Sequence, residues 1–508
     1  MNPGPRVALI SLYGVENIGI RILASVLKRQ GAQVRLYFFK KWMNNSVRMP
    51  TVRETELLTG SLRSFDPAVI GIGFGSPYAA IARRLTNEIR AAVSSTIVWG
   101  GVHPTVCPED CIEHADAVCV GEGEYPLAEL VAAVGEGRPF DDILNLWVRN
   151  GPCVKRNPVR PLVEDLDGLP YPDYGTTGKY FIDNGQCFEE EPLARSAELR
   201  VCASRGCPFN CSYCHTSALR AIYEGKGRYF RQHSVAYVIG SLAHAVRSLR
   251  PRRIKFDDDT FMSDPAWVKE FAQSYRAAVG IPFEALAHPF FLKPGPLEDL
   301  KAAGLVKLEV GIESASEKES RRVFNRVPCN DAVLAFSRMN KRLRIETGYD
   351  IIMDDPLAGF QDKKDTLFFL LTLERPFDIT MFSLTAFPKT ALAGLLLEKN
   401  LIAPDDIEGR ACKSLRQYRV SFDRGRSDED RFFISLISLT SKNFVPRALI
   451  RAFFKSGYLR RNPFLLECFS QAVNACKIMV IAWKTALRGE FTGMKFGEYS
   501  NLGKLLIQ

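Results

Sequence analysis

The 508-residue chain lacks an uninterrupted apolar run long enough to cross a membrane as a helix. Its longest apolar stretch, Ala475 to Trp483, is short and is interrupted by Lys477. The opening residues, Met-Asn-Pro-Gly-Pro, lead directly into a strand-like run and do not resemble a secretory signal. We therefore expect neither a membrane-spanning nor a secreted protein, and the 13 cysteines indicate free thiols in a reducing cytoplasm.

Common nucleotide-binding motifs are also absent. The turn after the first strand-like run, Gly14-Val-Glu-Asn-Ile-Gly19, is not a Gly-x-Gly-x-x-Gly fingerprint. No P-loop string of Gly-Lys followed by Ser or Thr occurs in the sequence. Both absences argue against a simple dinucleotide-binding or ATP-binding protein.

The first third of the sequence alternates between strand-like and amphipathic helical stretches. The predicted strands cover residues 6–13, 33–39, 68–74, 96–99 and 117–120, and the predicted helices cover about 20–31, 78–93 and 127–134. This alternation is typical of α/β proteins with a Rossmann-like, doubly wound parallel sheet. In such sheets, ligands bind at the carboxyl ends of the strands.

Glycine-rich loops follow three consecutive predicted strands. They read Gly73-Phe-Gly-Ser-Pro77, Trp99-Gly-Gly-Val-His-Pro-Thr105 and Gly121-Glu-Gly-Glu124. Because glycine lets the backbone approach a bound group closely, three such loops at one sheet edge predict a binding site. Its candidate residues are Gly73, Gly75, Ser76, Gly100, Gly101, His103, Pro104, Thr105, Gly121, Glu122 and Gly123.

A second α/β unit follows a stretch rich in proline, glycine and charge. Six strand-like runs, at residues 199–203, 253–256, 283–287, 307–312, 346–353 and 379–384, alternate with helical stretches and predict a partial (β/α)6 TIM-like barrel. We therefore divide the chain into a Rossmann-like domain, a linker, a barrel and a mainly helical C-terminal domain, at residues 1–144, 145–195, 196–390 and 391–508.

A cysteine triplet, Cys207, Cys211 and Cys214, directly follows the first predicted barrel strand. Three thiolates on one loop are able to hold three irons of a four-iron cluster, leaving the fourth iron without a protein ligand. A zinc site needs four ligands, so Cys202 or His215 would have to supply the fourth. A disulfide role fits poorly with an odd cysteine count and no secretory signal.

The spacing Cys-x-x-x-Cys-x-x-Cys, with Tyr213 before its last cysteine, resembles the signature of the radical S-adenosylmethionine (SAM) superfamily. The resemblance implies a 4Fe-4S cluster whose open iron binds SAM and cleaves it to a 5′-deoxyadenosyl radical. The glycine loops resemble those of the cobalamin-binding (B12-binding) domain that precedes the barrel in many members. None of the six histidines lies in an Asp-x-His-x-x-Gly string, so base-off cobalamin without a histidine below the cobalt is expected.

The resemblance also implies roles for residues at other strand ends of the barrel. Asp257 or Asp258 would bind the SAM amino group, while Glu313 and Ser314 would contact its ribose and carboxylate. Helix capping is an alternative role for the residues at both strand ends. Ser263 or Asp264 could equally cap the helix after the three aspartates, and the Ser-Ala-Ser run that ends at Ser316 could cap the helix after Glu313. Tyr213 would either stack on adenine or pack the cysteine loop. His103 is expected to hydrogen-bond backbone rather than to ligate a metal.

The family implies an enzyme, most directly a cobalamin-dependent C-methyltransferase acting on an unactivated carbon of a small or lipid-like substrate. A flavodoxin- or ferredoxin-type electron donor is implied, and no nucleic acid is expected. The alternative is a cyclase or ring-rearranging enzyme with the same cofactors but no net methyl transfer. A methylthiotransferase and a non-catalytic corrinoid-binding protein are further alternatives. The sequence assigns neither the catalytic residues nor the substrate.

The net charge of +10 is concentrated near the end of the sequence. Residues 441–508 contain 11 Lys and Arg against three Glu and no Asp. Within this region, the stretch from Arg447 to Arg461 is basic and amphipathic. It is expected either to pack as a lid helix or to lie against an anionic membrane surface.

Overall fold

The computed structural model describes residues 4–41, 48–404, 407 and 426–487. A nine-stranded sheet organises the first part of the chain. Its strands are β1 (Arg6–Leu12), β2 (Gln33–Phe39), β3 (Val69–Gly73), β4 (Thr96–Gly100), β5 (Ala117–Cys119), β6 (Leu146–Asn150), β7 (Cys153–Arg156), β8 (Lys179–Asp183) and β9 (Gln186–Phe188). Their order is β7-β6-β5-β4-β3-β1-β2-β8-β9, and the inner six strands are parallel.

Helices cover both faces of this sheet, as the doubly wound prediction requires. They are α1 (Ile18–Arg29), α2 (Val52–Phe65), α3 (Ala79–Ala92), α4 (Val102–Val106), α5 (Pro108–Ile112) and α6 (Glu124–Gly135). The inner strands are buried on both faces, and two separate hydrophobic clusters lie above and below them. The predicted fold class is confirmed, although α2 and the short helices α4 and α5 were not anticipated.

The segment expected to be a linker does more than connect two domains. Its strands β6 and β7 extend one edge of the first sheet in antiparallel fashion, while β8 and β9 extend the other edge. These edge strands have only three to five residues, and turns separate them. Such short strands show too little alternation to stand out from loop composition.

A second sheet forms the partial barrel. Its six strands are all parallel, in the order β10 (Glu198–Val201), β13 (Arg253–Phe256), β14 (Phe283–Ala287), β15 (Leu305–Glu313), β16 (Glu346–Met353) and β17 (Asp378–Ser383). A small hairpin of β11 (Ser204–Arg205) and β12 (Arg231–Gln232) follows β10. The intervening helices are α7 (His215–Ile222), α8 (Val235–Leu249), α9 (Pro265–Ala278), α10 (Pro294–Ala303), α11 (Glu317–Arg322), α12 (Asn330–Leu343) and α13 (Phe360–Leu370).

Helices follow the barrel in the last part of the chain. They are α14 (Ala391–Glu398), α15 (Asp428–Thr440), α16 (Arg447–Lys455), α17 (Gly457–Arg461) and α18 (Pro463–Leu487). The basic amphipathic stretch forms α16 and α17, whose apolar side chains pack against the hydrophobic core beside α15. None of the described helices is long and apolar enough to span a membrane.

A buried ion network fastens the first sheet to the segment that leads into the barrel. Arg21 of α1 makes two hydrogen bonds of 2.7 Å to the carboxylate of Glu191, and Lys179 of β8 lies 2.9 Å from the same group. All three side chains are fully buried. Burial raises the pKa of Glu191, but the two cations outweigh it, so its pKa lies below the ordinary value.

Replacing Glu191 with Gln will destabilise the protein because it leaves Arg21 and Lys179 buried without their shared carboxylate. We expect the free energy of unfolding in urea to fall by about 3–5 kcal/mol at pH 7. The contribution of Glu191 is present above pH ~4.3 and is lost as the pH falls through its lower folded-state pKa, so the difference shrinks in acid. The matched control is Glu190→Gln, which removes an exposed pair with Arg195 and should cost at most about 1 kcal/mol.

Candidate functional site

The cysteine triplet lies on the loop between the hairpin strand β11 and the helix α7. Cys214 is the residue at the N-terminal end of α7, and its backbone N–H donates to the Cys211 carbonyl at 3.2 Å. The loop is anchored by Arg220, which donates to the carbonyl of Cys207. Burial raises the pKa of the Cys207 thiol to about 12 and raises that of Cys214 as well. A positive charge on a bound metal would favour the thiolates.

None of the described residues forms a set of three or more His, Cys, Asp or Glu side chains that could hold a single metal ion. A four-iron cluster does not require such convergence, because each of three cysteines would bind a different iron. The described cysteines are all free of disulfides. Three free thiols on one anchored loop therefore fit an iron–sulfur cluster, whereas zinc would need four ligands around one point.

A half-buried arginine connects the cysteine loop to the end of β15. Arg326 donates to the Tyr213 hydroxyl at 3.3 Å and to the sulfur of Cys211 at 3.6 Å, and it also bonds the Gly311 carbonyl. Burial raises the pKa of Glu313, and nearby Arg326 partly opposes this. Tyr213 packs edge-on against Phe324. Its ring and hydroxyl thus both have partners in the segment that follows α11.

The three aspartates after β13 have different surroundings. Asp257 forms an ion pair with Arg200, with a shortest distance of 2.5 Å. Asp258 is fully buried and accepts hydrogen bonds from Ser204 and from the Ala203 N–H, and burial raises its pKa to about 6. Both candidate carboxylates therefore already hold protein groups in place.

Asp259, which the sequence analysis passed over, faces the cysteine loop. Its carboxylate accepts from Thr216 at 3.4 Å and lies near His215, both in the first turn of α7. Burial raises its pKa, although its surface remains exposed to the barrel mouth. None of the described Lys or Arg side chains forms an ion pair with it. The only signal in the sequence was its place in the aspartate triplet.

Ser314 is buried behind the barrel mouth. Its hydroxyl donates to Glu319 at 2.5 Å, and burial raises the pKa of that carboxyl group to about 8. Ser316, two residues later, caps α11 by accepting from the Glu319 N–H. The capping alternative thus accounts for Ser316, and Ser314 supports the same turn.

A cavity of about 640 Å³ lies at the carboxyl edge of the first sheet. Among the predicted residues, it is lined by Gly73, Gly75, Gly100, Gly101, Gly121, Glu122 and Gly123. The barrel contributes Cys202, Ser204 and Arg205 to the same lining. Gly121 has a φ of +95°, and a Cβ there would lie 1.9 Å from the Tyr223 hydroxyl, so only glycine fits. The glycine loops and residues 202–205, which lead into the cysteine loop, therefore face one space.

The remaining predicted residues of the glycine loops lie beside this cavity. Thr105, in α4, donates to the Gly101 carbonyl and accepts from the Gly121 N–H at 3.0 Å, so it ties two loops together. Pro104 is buried in the same helix. Ser76 and His103 line a second cavity, where their side chains lie 3.1 Å apart. His103 bonds a hydroxyl there rather than backbone.

Ion pairs hold the first sheet against the cysteine-bearing segment. Glu122 bonds Arg231 at 2.9 Å and Arg205 at 3.1 Å, and Glu124 bonds Arg205 at 2.6 Å. Burial raises the pKa of Glu122, but the two guanidinium groups outweigh it and lower the pKa overall. Arg205 lies two residues before Cys207. Sequence reasoning missed both arginines, because their partners are far away in the chain.

Two family models match the chain. The B12 binding domain model covers residues 6–131, and the radical SAM superfamily model covers residues 201–365. The chain is a radical SAM enzyme with a B12-binding domain. The expected cofactors, a 4Fe-4S cluster, SAM and cobalamin, are confirmed at the level of these domains.

Known proteins extend the similarity along the chain. An uncharacterized methyltransferase of Pyrococcus horikoshii is 27% identical over 67% of this chain and 72% of its own length. Bacteriochlorophyllide d C-12(1)-methyltransferase of Chlorobaculum tepidum is 23% identical over 63% of this chain and 64% of its own length. The solved structure of the cobalamin-dependent SAM radical enzyme OxsB, at 16% identity, covers 96% of this chain and 82% of its own with a TM-score of 0.66, which shows a shared fold.

Proposed function

We propose that the protein is a cobalamin-dependent radical SAM methyltransferase that acts on an unactivated carbon of a small or lipid-like molecule. The observation that carries this proposal is the cavity shared by the glycine loops and the barrel residues Cys202, Ser204 and Arg205. A methyl carrier held there would face the mouth of the barrel directly. The two related methyltransferases support the choice of reaction.

We propose that Cys207, Cys211 and Cys214 hold the cluster. When bound, the cluster and cobalamin supply the electron for SAM cleavage and the carrier for the methyl group. Arg326 would donate to the Cys211 sulfur and stabilise its negative charge. The glycine loops at residues 73–75, 100–101 and 121–123 would lie against the corrin. The lining residues of the cavity include no histidine, so we expect no histidine below the cobalt, and we keep the base-off form as part of the proposal.

The products of SAM test the reaction. A methyltransferase consumes two SAM per turnover, one giving S-adenosylhomocysteine and the other giving methionine and 5′-deoxyadenosine. With the reconstituted protein and a reductant under anaerobic conditions, we expect both adenosyl products to be detected by mass spectrometry. Cys207→Ala should lower the iron content and abolish 5′-deoxyadenosine formation, while Cys153→Ala, at an exposed cysteine of β7, should change neither. Formation of 5′-deoxyadenosine without S-adenosylhomocysteine in the complete reaction would instead favour a cyclase.

We propose that Asp259, rather than Asp257 or Asp258, binds the amino group of SAM. The carboxylate of Asp259 lies beside the cysteine loop and has no ion-pair partner among the described Lys and Arg residues, so a bound ammonium group would supply one. Glu313 and Ser314 remain proposed for the ribose and carboxylate, through the turn that they form at the end of β15. Tyr213 would pack the cysteine loop.

Asp259→Asn will weaken SAM binding because a hydrogen bond between two charged groups is lost. We expect the dissociation constant of SAM, measured by anaerobic titration of the cluster-loaded protein, to rise about tenfold or more. Asp257→Asn is the control, since Arg200 already occupies that carboxylate, and it should change SAM affinity by less than about threefold. Equal losses in the two variants would contradict the assignment.

We keep the four-part division at residues 1–144, 145–195, 196–390 and 391–508 as a proposal, together with a flavodoxin- or ferredoxin-type electron donor and a cytoplasmic location.

We also propose that α16 to α18 contact an anionic membrane surface. The aromatic side chains of Tyr458, Phe464 and Trp483 are 64–66% exposed there. Arg451, Lys455 and Arg461 are exposed nearby.

The membrane contact is tested by flotation with lipid vesicles. We expect the protein to float with phosphatidylglycerol vesicles, to float less with neutral phosphatidylcholine vesicles and to be released by salt. Replacing Tyr458 and Phe464 with Ser should reduce flotation, whereas Phe290→Ser, at an exposed site on the barrel, should not. Flotation independent of lipid charge would rule out this contact.

A further inference from the structure

A second cavity, of about 730 Å³, lies between the first sheet and the segment that follows the barrel. Its walls come from three places: the start of α3 with the residue Ser76 before it, the short helices α4 and α5, and the segment around α14. A space of this size is typical of small-molecule sites. Neither the cysteine loop nor the glycine backbones of the first cavity are among its lining residues.

The second cavity adjoins the walls of both cofactor sites. Ser76 belongs to the same loop as Gly75 and Tyr78, which line the first cavity. On the other side, Leu392 of α14 donates its backbone N–H to the carbonyl of Ser212 in the cysteine loop at 2.9 Å. A molecule in this space would therefore lie next to the chamber where the two cofactors meet.

The chemistry of the walls is apolar with a positive end. Most of the lining is formed by small and aliphatic residues, including Ala79, Ala80, Ala393, Gly394, Leu397 and Ile407. Arg83 and Lys389 bring two cations to the lining, and none of the described carboxylates forms an ion pair with either. Asp110, the one acidic group among the described lining residues, is exposed.

A buried histidine provides a second polar feature. His103 is 7% exposed, and its Nδ1 shares a hydrogen bond with Ser76, while its Nε2 has no hydrogen-bond partner among the described residues. Burial lowers the pKa of His103, and Arg83 lowers it further, against the opposing effect of Asp110. The Nε2 atom is therefore left for a hydrogen bond to a ligand.

We propose that this second cavity binds the substrate, and that the substrate is an amphipathic organic anion. Its carboxylate or phosphate group would lie between Arg83 and Lys389, and its apolar body would lie along α14 and the start of α3. Two cations that have no ion-pair partner among the described carboxylates favour an anion, and the aliphatic walls favour hydrocarbon over a sugar or peptide backbone. Calling the bound molecule a substrate rests on the proposed methyl transfer, whereas the proposal that this cavity binds an anion does not.

Binding is tested with small probes on the cofactor-loaded protein under anaerobic conditions. 1-Naphthylacetate and 1-naphthyl phosphate represent the two possible anionic groups, and the methyl ester of naphthylacetate represents the same body without charge. We expect one or both anions to bind, measured by calorimetry, and the ester to bind about tenfold or more weakly. The stronger of the two anions identifies the head group.

Two variants and two matched controls locate the site. Arg83→Gln and Lys389→Asn remove the cations, and Asn is chosen because Lys389 has a φ of +60°, which Asn tolerates. Arg84→Gln, beside Arg83 but paired with Glu88, and Lys399→Gln, at the end of α14, are the controls. We expect each of the two variants to weaken anion binding about tenfold and to leave ester binding unchanged, with unchanged cobalamin absorbance and unfolding midpoint.

Three results would overturn the proposal: no binding of either anion, equal binding of anion and ester, or equal losses in the variants and their controls. Its failure is distinguishable from failure of the proposed function. If S-adenosylhomocysteine is never formed but the anion binds at Arg83 and Lys389, methyl transfer is wrong and the binding site stands. If both adenosyl products form but the two variants bind like the wild type, the site is wrong and methyl transfer stands.

Discussion

The contact of Glu122 and Glu124 with Arg205 and Arg231 is the constraint on which the arrangement of the site depends. The two glutamates end a glycine loop of the first sheet, while Arg205 lies two residues before the first cysteine of the triplet. Such partly buried ion pairs add little net stability against apolar contacts, but their geometry is specific. They therefore fix the distance and orientation between the glycine loop after β5 and the segment that leads into the cysteine loop.

The same packing determines the electrostatics of the barrel mouth. Burial raises the pKa of Asp259 and of Cys202, although both have surface exposed to the space between the domains. Neighbouring protein on several sides of an exposed group produces this combination, because it removes part of the group's hydration. A positively charged group bound there would interact more strongly with Asp259 than it would in bulk water.

Much of the fold follows from the sequence, because buried parallel strands are continuous apolar runs. The predicted bounds of β13, β14 and β16 agree with the structure to the residue. The edge strands β6 to β9 and the helix α2 were not predicted, since short edge strands lack a long apolar pattern and α2 mixes polar residues into its buried face. Local pattern identifies central elements better than peripheral ones.

The parts of the candidate site that depend on backbone conformation and on residue spacing were predictable from the sequence. The glycine loops and cysteines carry their signal in spacing, whereas Asp257, Asp258 and Asp259 are adjacent and only their partners distinguish them. Arg200 and the Ala203 N–H come from β10 and the segment after it, and Thr216 comes from α7. Which aspartate faces the mouth is therefore decided by three contacts that are 43 to 57 residues away along the chain.

An open six-stranded barrel has two free edges, β10 and β17, and the segments that follow them must be joined in another way. The hydrogen bond from Leu392 to Ser212 joins α14, after β17, to the cysteine loop, after β10. Because this junction is made by a helix and a loop rather than by strands, it leaves a space at its side. The first sheet covers that space with α3 and α4, and the small residues Ala79 and Ala80 of α3 leave it unfilled. The second cavity is thus a consequence of closing a partial barrel with another domain.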